Sequence, residues 1–454
     1  MTDSESLWQP QPIAADLLER LVEDTLRRSE ELTRMAERMR SETGTRLFDW
    51  LDHLAVPGDL NCEGQTIVEA LQSAGFGECD LGDRIVLCHA GGLFPPIELT
   101  SGDFRAAIKV DSVTDFVIAH RLRDIKIIGR SGDRRRQARV DAGSGVAIWV
   151  VQRAGDLSWY AEPEPMGDLA RYVDWCERIR LRDRGGAEAE VGFAAARSLV
   201  EEGNGEFGQD ACCAAFFAAE RSYWQVRNRA GQLQKSRQDR LGLGWANHDH
   251  HTYRSSREWF RSLMELLETL GFRRRERFYA GLDAGWGAQV LEQVNAGITV
   301  FADVDLSPQE IQGDFATNGL EPRLRFGTVG LWCALHGEAF LEAGMHHLEC
   351  QFDFEAARQQ LTAAGVGSMP PFTNFDYLRQ SFTEGERWEV SPARIERLLD
   401  TGAIDADQAQ RFRIDGAIGS HLEVLERNDG FKGFNQTGIS DIILKTDPRI
   451  IEPH

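Results

Sequence analysis

No stretch of this chain approaches the roughly 18 consecutive apolar residues of a membrane span, and MTDSESLWQP at its start lacks the basic-then-apolar order of a secretory signal. A protein that neither spans a membrane nor is exported is expected, and it is placed in the cytoplasm. The eight cysteines contain no C-x-x-C pair, which argues against a zinc knuckle or a disulfide framework and for reduced, mostly buried thiols. Positive charge is in deficit: the net charge of -21 opposes the attraction that supplies most non-specific nucleic-acid affinity, so nucleic acid is not an expected partner. Also missing are a G-x-S-x-G elbow, a P-loop, an H-E-x-x-H pair and a strand-linked G-x-G-x-x-G. Two basic runs, Arg130 to Arg139 and Arg273 to Arg277, offer an anion site, against the plainer reading of a charged hairpin tip or strand edge.

What is present is core-forming material. The chain is 42% hydrophobic, with 24 Phe and 11 Trp in 454 residues, enough for more than one core. Residues 13 to 40 carry apolar residues at helical spacing without Gly or Pro, which predicts one long amphipathic helix, a docking or homodimer element or a cover for the chain's own core. Residues 46–165 alternate β-rich runs with turns; 166–240 turn helical; 241–365 return to the first texture; 366–454 form a C-terminal extension with a helical SPARIERLLDTGAIDADQAQRFR and a strand-like ISDIILK. The 1–45 segment precedes these as a helical arm.

A weak repeat links the units. FDWLDHLAV before TIVEALQSAGF, HDHHTYR before SSREWFRSLMELLETLGF, and MHHLECQFD before FEAARQQLTAAGV each read as a His-bearing strand, an amphipathic helix and a Gly stop. Ser255 with Glu258, and Thr66 with Glu69, have capping-box spacing, and Gly75, Gly271 and Gly365 stand where helices should end. The fold class is α+β.

Histidine is sparse, 11 in all, yet His248, His250 and His251 fall within four positions. On a strand His248 and His250 share a face and His251 takes the other. Neutral imidazoles on rigid strands suit Fe, Zn, Mn or Ni, and a nearby carboxylate completes a facial triad. Glu292, among apolar neighbours in WGAQVLEQVNAGITV, is such a carboxylate; its partner is a metal or Arg254. His346 and His347 form a second cluster, with His347 and Glu349 on one face of a strand, set against the plainer reading of a packed strand. His53, His89 and His421 stand singly.

These residues carry a resemblance to the 2-oxoadipate dioxygenase/decarboxylase (hydroxyglutarate synthase) family of the vicinal oxygen chelate superfamily. D-H-H-T-Y-R at 249–254 is similar to its N-H-L-T-P-R motif, E-Q-V-N-A-G-I-T-V from Glu292 to its E-Q-R-G strand, and H-L-A-V-P from His53 to its early H-x-x-x-R motif, with Pro57 in the place of the arginine. The resemblance covers about residues 46–305 and implies paired βαβββ modules with one divalent metal, Fe(II) first and Zn, Mn or Ni as alternatives, on His53, His250 and Glu292. It implies an oxygenase acting on a small, anionic 2-oxo or hydroxy acid, with Arg254 or Arg257 replacing the lost arginine as carboxylate grip. His251 is then an acid/base or supporting group. Without the resemblance, His248, His250 and Glu292 are the candidate ligands. Two alternatives stay open: a metal-dependent lyase, isomerase or hydrolase on the same fold, and a non-catalytic ligand-binding or scaffold protein without metal.

Overall fold

Short runs of β-branched and aromatic residues between turn signals become strands, and the amphipathic segment after each leading strand becomes a helix covering one sheet face. A computed structural model describes residues 8–80, 82, 84–141, 143, 145–158, 165, 167–185, 188–323, 325–435 and 447–449. The first module runs β1 (Leu51–Pro57), helix Ile67–Ser73, β2 (Phe76–Cys79), β3 (Val86–His89) and β4 (Ile97–Thr100). The second runs β5 (Arg105–Lys109), helix Val113–Ala119, β6 (Ile127–Ile128), β7 (Arg135–Arg139) and β8 (Ala147–Arg153). Together they form an eight-stranded sheet of order β2-β3-β4-β1-β5-β8-β7-β6.

The same grammar repeats. The third module is β9 (His248–Arg254), helix Phe260–Thr269, β10 (Arg273–Tyr279), β11 (Trp286–Gln293) and β12 (Ile298–Asp305). The fourth is β13 (Met345–Gln351), helix Phe354–Ala363, β14 (Thr373–Phe375), β15 (Leu378–Phe382) and, after the short β16 (Glu386–Trp388), the long β17 (Ala417–Arg427). The second sheet has the order β10-β11-β12-β9-β13-β17-β15-β14, with β16 on β17. The chain is thus an α+β protein of paired βαβββ modules in two curved mixed sheets. The fourth module extends the second sheet to Arg427, so much of the region beyond residue 366 is part of this sheet.

One face of the second sheet packs Tyr253, Leu291, Val300, Leu348 and Val424 against the helices of the 169–239 insert and of its own modules. The inner face packs Val290, Trp286 and Phe301 against the helix Thr328–His336 through Val329 and Trp332. Asp305 fixes that helix, accepting hydrogen bonds from the backbone N–H of Gly327, Val329 and Gly330 at 2.8, 3.0 and 3.0 Å. A Cβ at Gly330 would come within 2.6 Å of the same carboxylate, so a glycine is needed there.

Several local expectations change. The N-terminal helix is two helices, Pro12–Arg27 and Glu30–Arg38, because Ser29 Oγ caps the second by accepting from Leu32 N at 3.2 Å. Ala14, Leu17, Leu18 and Leu21 pack into the core of the first sheet. The Thr66–Glu69 capping box forms. The Ser255–Glu258 box does not: the helix begins later, at Phe260, and Ser255 Oγ bonds to Ser256 O instead. Cys79 and Cys88, on the neighbouring strands β2 and β3, are joined in a disulfide, where thiols were expected. ISDIILK lies outside the described residues. Among the described residues no helix is long and apolar enough to cross a membrane.

Both basic runs serve the fold. Arg134 donates to Phe207 O at 2.8 Å, Arg139 pairs with Asp141, and Arg274 bridges Glu268 and Asp314. The insert is held to the sheet by fully buried Glu220, which pairs with Arg182 and Arg184 and accepts from Tyr253 Oη at 3.3 Å. Removing one member of such a network leaves buried charge without its partner. Glu220→Ala should therefore lower stability by about 3–5 kcal/mol, read as a shifted urea midpoint at unchanged slope.

Candidate metal centre

The register of three adjacent strands builds the centre. His250 on β9 lies opposite Glu349 on β13, and Glu349 lies opposite Glu423 on β17. Directly paired residues share a sheet face, so one row carries an imidazole and two carboxylates on the inner face. His347, two residues before Glu349, adds a second imidazole. One donor atom from each of the four lies within 4.8 Å of the others, and all four residues are buried.

A bulge sharpens the arrangement. The β9–β13 register shifts between Thr252 and Tyr253, which leaves His346 as an extra residue on β13. His346 turns to Trp332 and Gly419 O, and its ring stays 5.1 Å from that of His347.

Hydrogen bonds aim these side chains. His250 Nδ1 is 2.9 Å from Asp249 Oδ1, leaving Nε2 to face the centre. Asp249 is held in turn by Arg427 at 2.8 and 2.9 Å and by Gln351 Nε2 at 2.9 Å. Burial opposes its charge, but Arg427 and His250 outweigh that effect and keep its carboxyl well below the ordinary range. The Gln380 amide donates to Glu349 Oε1 at 2.8 Å and to Glu423 Oε1 at 3.0 Å, which leaves the Oε2 atoms turned to the imidazoles. Glu423 Oε2 is 3.3 Å from His347 Nε2, and Glu349 Oε2 lies against His250 Nε2 without making a hydrogen bond.

The donor chemistry fits a divalent cation. Burial and then the Glu349 carboxylate push the Glu423 carboxyl well up, the signature of two like charges sharing a dry site. Burial, with His250 next, drives the His347 imidazole well down, so it is neutral and able to ligate. A cation between them would balance both carboxylates and take up both imidazole lone pairs. Two imidazoles and two carboxylates suit Fe, Mn, Zn or Ni.

The sequence-predicted residues fall in different places. His250 is in the cluster. Glu292 lies on the same inner face, in the row His250–Thr299–Glu292, but two strands away, and it faces Lys432 Nζ at 3.4 Å. His53 is in the other sheet, where Asp52 orients it at 2.8 Å and Arg153 grips Asp52 at 2.7 and 3.0 Å. This repeats the Asp249–His250–Arg427 arrangement, with Ala107 and Trp149 at the register positions of Glu349 and Glu423. His251 points to the helix-covered face, against Phe217 and 3.2 Å from Arg221 Nη1, because neighbouring strand residues alternate. His248 does not share the face of His250: the register shift between them turns its ring to His251, 5.2 Å away.

Arg254 shares the inner face with His250, four residues on. It is buried, 4.0 Å from Asp303 and over Trp332, with Nε and Nη1 making no hydrogen bond. Burial pushes Asp303 up to about 8, against the pull of Arg254. Arg257 is engaged with Glu310, Asp305 O and Glu321 O.

The sequence reading missed Glu423. Its signal is the alternation His421, Glu423, Leu425, Arg427 in the apolar HLEVLER stretch, where a buried carboxylate recurs in step with a histidine.

No protein-family model matches the chain, and no curated protein matches it. Similar solved structures include a triple mutant of 4-hydroxymandelate synthase from Streptomyces coelicolor, at 12% identity and a TM-score of 0.29, covering 87% of this chain and 97% of that one. Methylmalonyl-CoA epimerase from Mycobacterium tuberculosis is similar at 13% identity and 0.22, covering 40% and 88%. An uncharacterized protein from Shigella flexneri is similar at 11% and 0.23, covering 53% and 73%. The architecture stands on the strand order and register above, independently of these likenesses.

Two outcomes are expected. Glu423→Ala and His347→Ala should each cut affinity for a divalent metal by about 100-fold or more, and Asp249→Asn by about 10–100-fold, measured by competition with a chromogenic chelator. Asp303, its folded-state pKa raised, binds its proton more tightly folded than unfolded, so its contribution to stability is present at low pH and lost as pH rises toward about 8. Asp303→Asn should remove that decline from the stability–pH curve between pH 5 and 8.

Proposed function

We propose that the chain is a mononuclear metal enzyme, an Fe(II)-dependent oxygenase acting on a small 2-oxo or hydroxy acid, with the ion held by His250, His347, Glu349 and Glu423. The observation that carries this reading is the buried row of two carboxylates and two imidazoles meeting at one point. An ion held by these residues would supply a Lewis-acidic, redox-active centre for the chemistry of the acid with O2.

The chain's own residues set the rest. Asp249 and Arg427 fix the His250 ring, and the Gln380 amide donates to one oxygen of each carboxylate, leaving the other oxygen of each facing the imidazoles. Arg254, with N–H groups unpaired and its neighbour Asp303 protonated near neutral pH, keeps a full positive charge for a substrate carboxylate on the same face. Phe301 and Phe434, whose rings lie 4.6 and 5.0 Å from that of His250, exclude water from that side.

The test is oxygen uptake by protein reconstituted anaerobically with Fe(II), against a panel of 2-oxo and 2-hydroxy acids. Substrate-dependent uptake lost in His347→Ala is the expected result. Arg254→Met should raise KM for the acid by about tenfold or more, the scale of one lost charged hydrogen-bonding contact. Turnover without oxygen uptake would move the assignment to a Lewis-acid lyase, isomerase or hydrolase. Protein that takes up no metal would leave a ligand-binding module.

A further inference from the structure

A cavity of about 520 Å³ lies outside the metal centre, between the two N-terminal helices and the end of β17. Its size is that of a small-molecule site. The wall is apolar, from Val22 and Leu26 on the first helix and from Phe48, Leu93 and Phe94 on the first sheet's side.

Its charge is one-sided. Three arginines line it, but each is committed: Arg40 to Asp353 at 2.8 Å, Arg46 to Asp49 at 2.7 Å, and Arg427 to Asp249. Of the lining carboxylates, Glu23 pairs with Arg27 and Asp353 with Arg40, whereas Glu19, Glu37 and Asp429 make no ion pair among the described residues. An apolar pocket rimmed by uncompensated carboxylates, with two phenylalanine rings in its wall, favours a cation with a hydrocarbon body and disfavours an anion.

We propose that this cavity binds an apolar organic cation, a small ammonium compound whose hydrocarbon part rests on Phe48 and Phe94 and whose charge is met by Glu19, Glu37 and Asp429. Two wall residues also connect it to the metal centre. Arg427 and Gln351 both line the cavity and both hold Asp249, the carboxylate that orients His250. A ligand that fixes these two side chains stabilises the metal-binding position of His250, and by reciprocity a bound metal tightens the ligand. This coupling rests on the metal reading; the cavity's preference for a cation does not.

The test is calorimetric titration of the full chain, freed of metal, with octyltrimethylammonium and separately with octanesulfonate, both below their micellar concentrations. The expected result is saturable binding of the ammonium probe alone, weakened by about tenfold or more, equivalent to one or more lost charge contacts, in the triple variant Glu19→Gln, Glu37→Gln, Asp429→Asn. Equal binding of both probes, binding undiminished in the variant, or no binding of either overturns the site. The three residues lie at the cavity rim, and an unchanged circular dichroism spectrum confirms that the variant folds. Repeating the ammonium titration after loading with Mn(II) tests the coupling: about threefold or greater tightening is expected, and equal affinity in loaded and metal-free protein overturns it. Absence of Mn(II) uptake would instead refute the metal reading, leaving the cation preference decided by the first comparison.

Discussion

Two carboxylates, Glu349 and Glu423, stand opposite each other on adjacent parallel strands in a buried row, and much of the second sheet answers that constraint. Two such charges in a dry site repel, and protonating both would forfeit the reason for placing them there. The surroundings supply donors and ligands around the pair. Gln380 gives one N–H to each outer oxygen, while the Nε2 atoms of His250 and His347 face the inner ones. Asp249, Arg427 and Gln351 then lock the ring of His250.

The scaffold that meets this constraint is used twice in the chain. In the first sheet the same register positions hold His53, Ala107 and Trp149, and the same supporting pair, Asp52 and Arg153, orients the imidazole. The Asp–His–Arg arrangement therefore belongs to the βαβββ grammar, with Asp and His at the head of one module and Arg at the end of the next. What sets the second sheet apart as a candidate metal centre is the pair of carboxylates. Without them, His53 faces Glu98 at 3.9 Å, a carboxylate already held by Arg84 and Arg105.

Much of this was legible in the sequence. The His-strand, helix and Gly-stop pattern marked three of the four modules, and Gly75, Gly271 and Gly365 do take left-handed φ at the helix ends. The second module escaped because FRAAIKV carries no histidine and no glycine directly follows its helix, Val113–Ala119, whose C-cap is His120. His250 was readable from its cluster, and the shared face of His347 and Glu349 from strand alternation. Their meeting with His250 was not, since it depends on which strands pair, a matter settled over nearly 100 residues of intervening chain. Glu292 looked right locally, set among apolar neighbours, and does share the inner face; but it is half-buried, and pairing order sets it two strands off. Glu423 needed recognition that β17 closes the fourth module after an insertion of two helices, Pro392–Asp400 and Ala406–Asp415.

The central claim is that one divalent ion sits where these four side chains converge. Its most direct test is a crystal of the protein soaked in Mn(II), with anomalous diffraction recorded at a wavelength where manganese scatters strongly. The account requires a single strong anomalous peak within about 2–2.5 Å of donor atoms of His250, His347, Glu349 and Glu423, the span of ordinary metal–ligand bonds. A peak at His53 or Glu292 in its place, or none at the convergence in a crystal that holds the ion elsewhere, would contradict it.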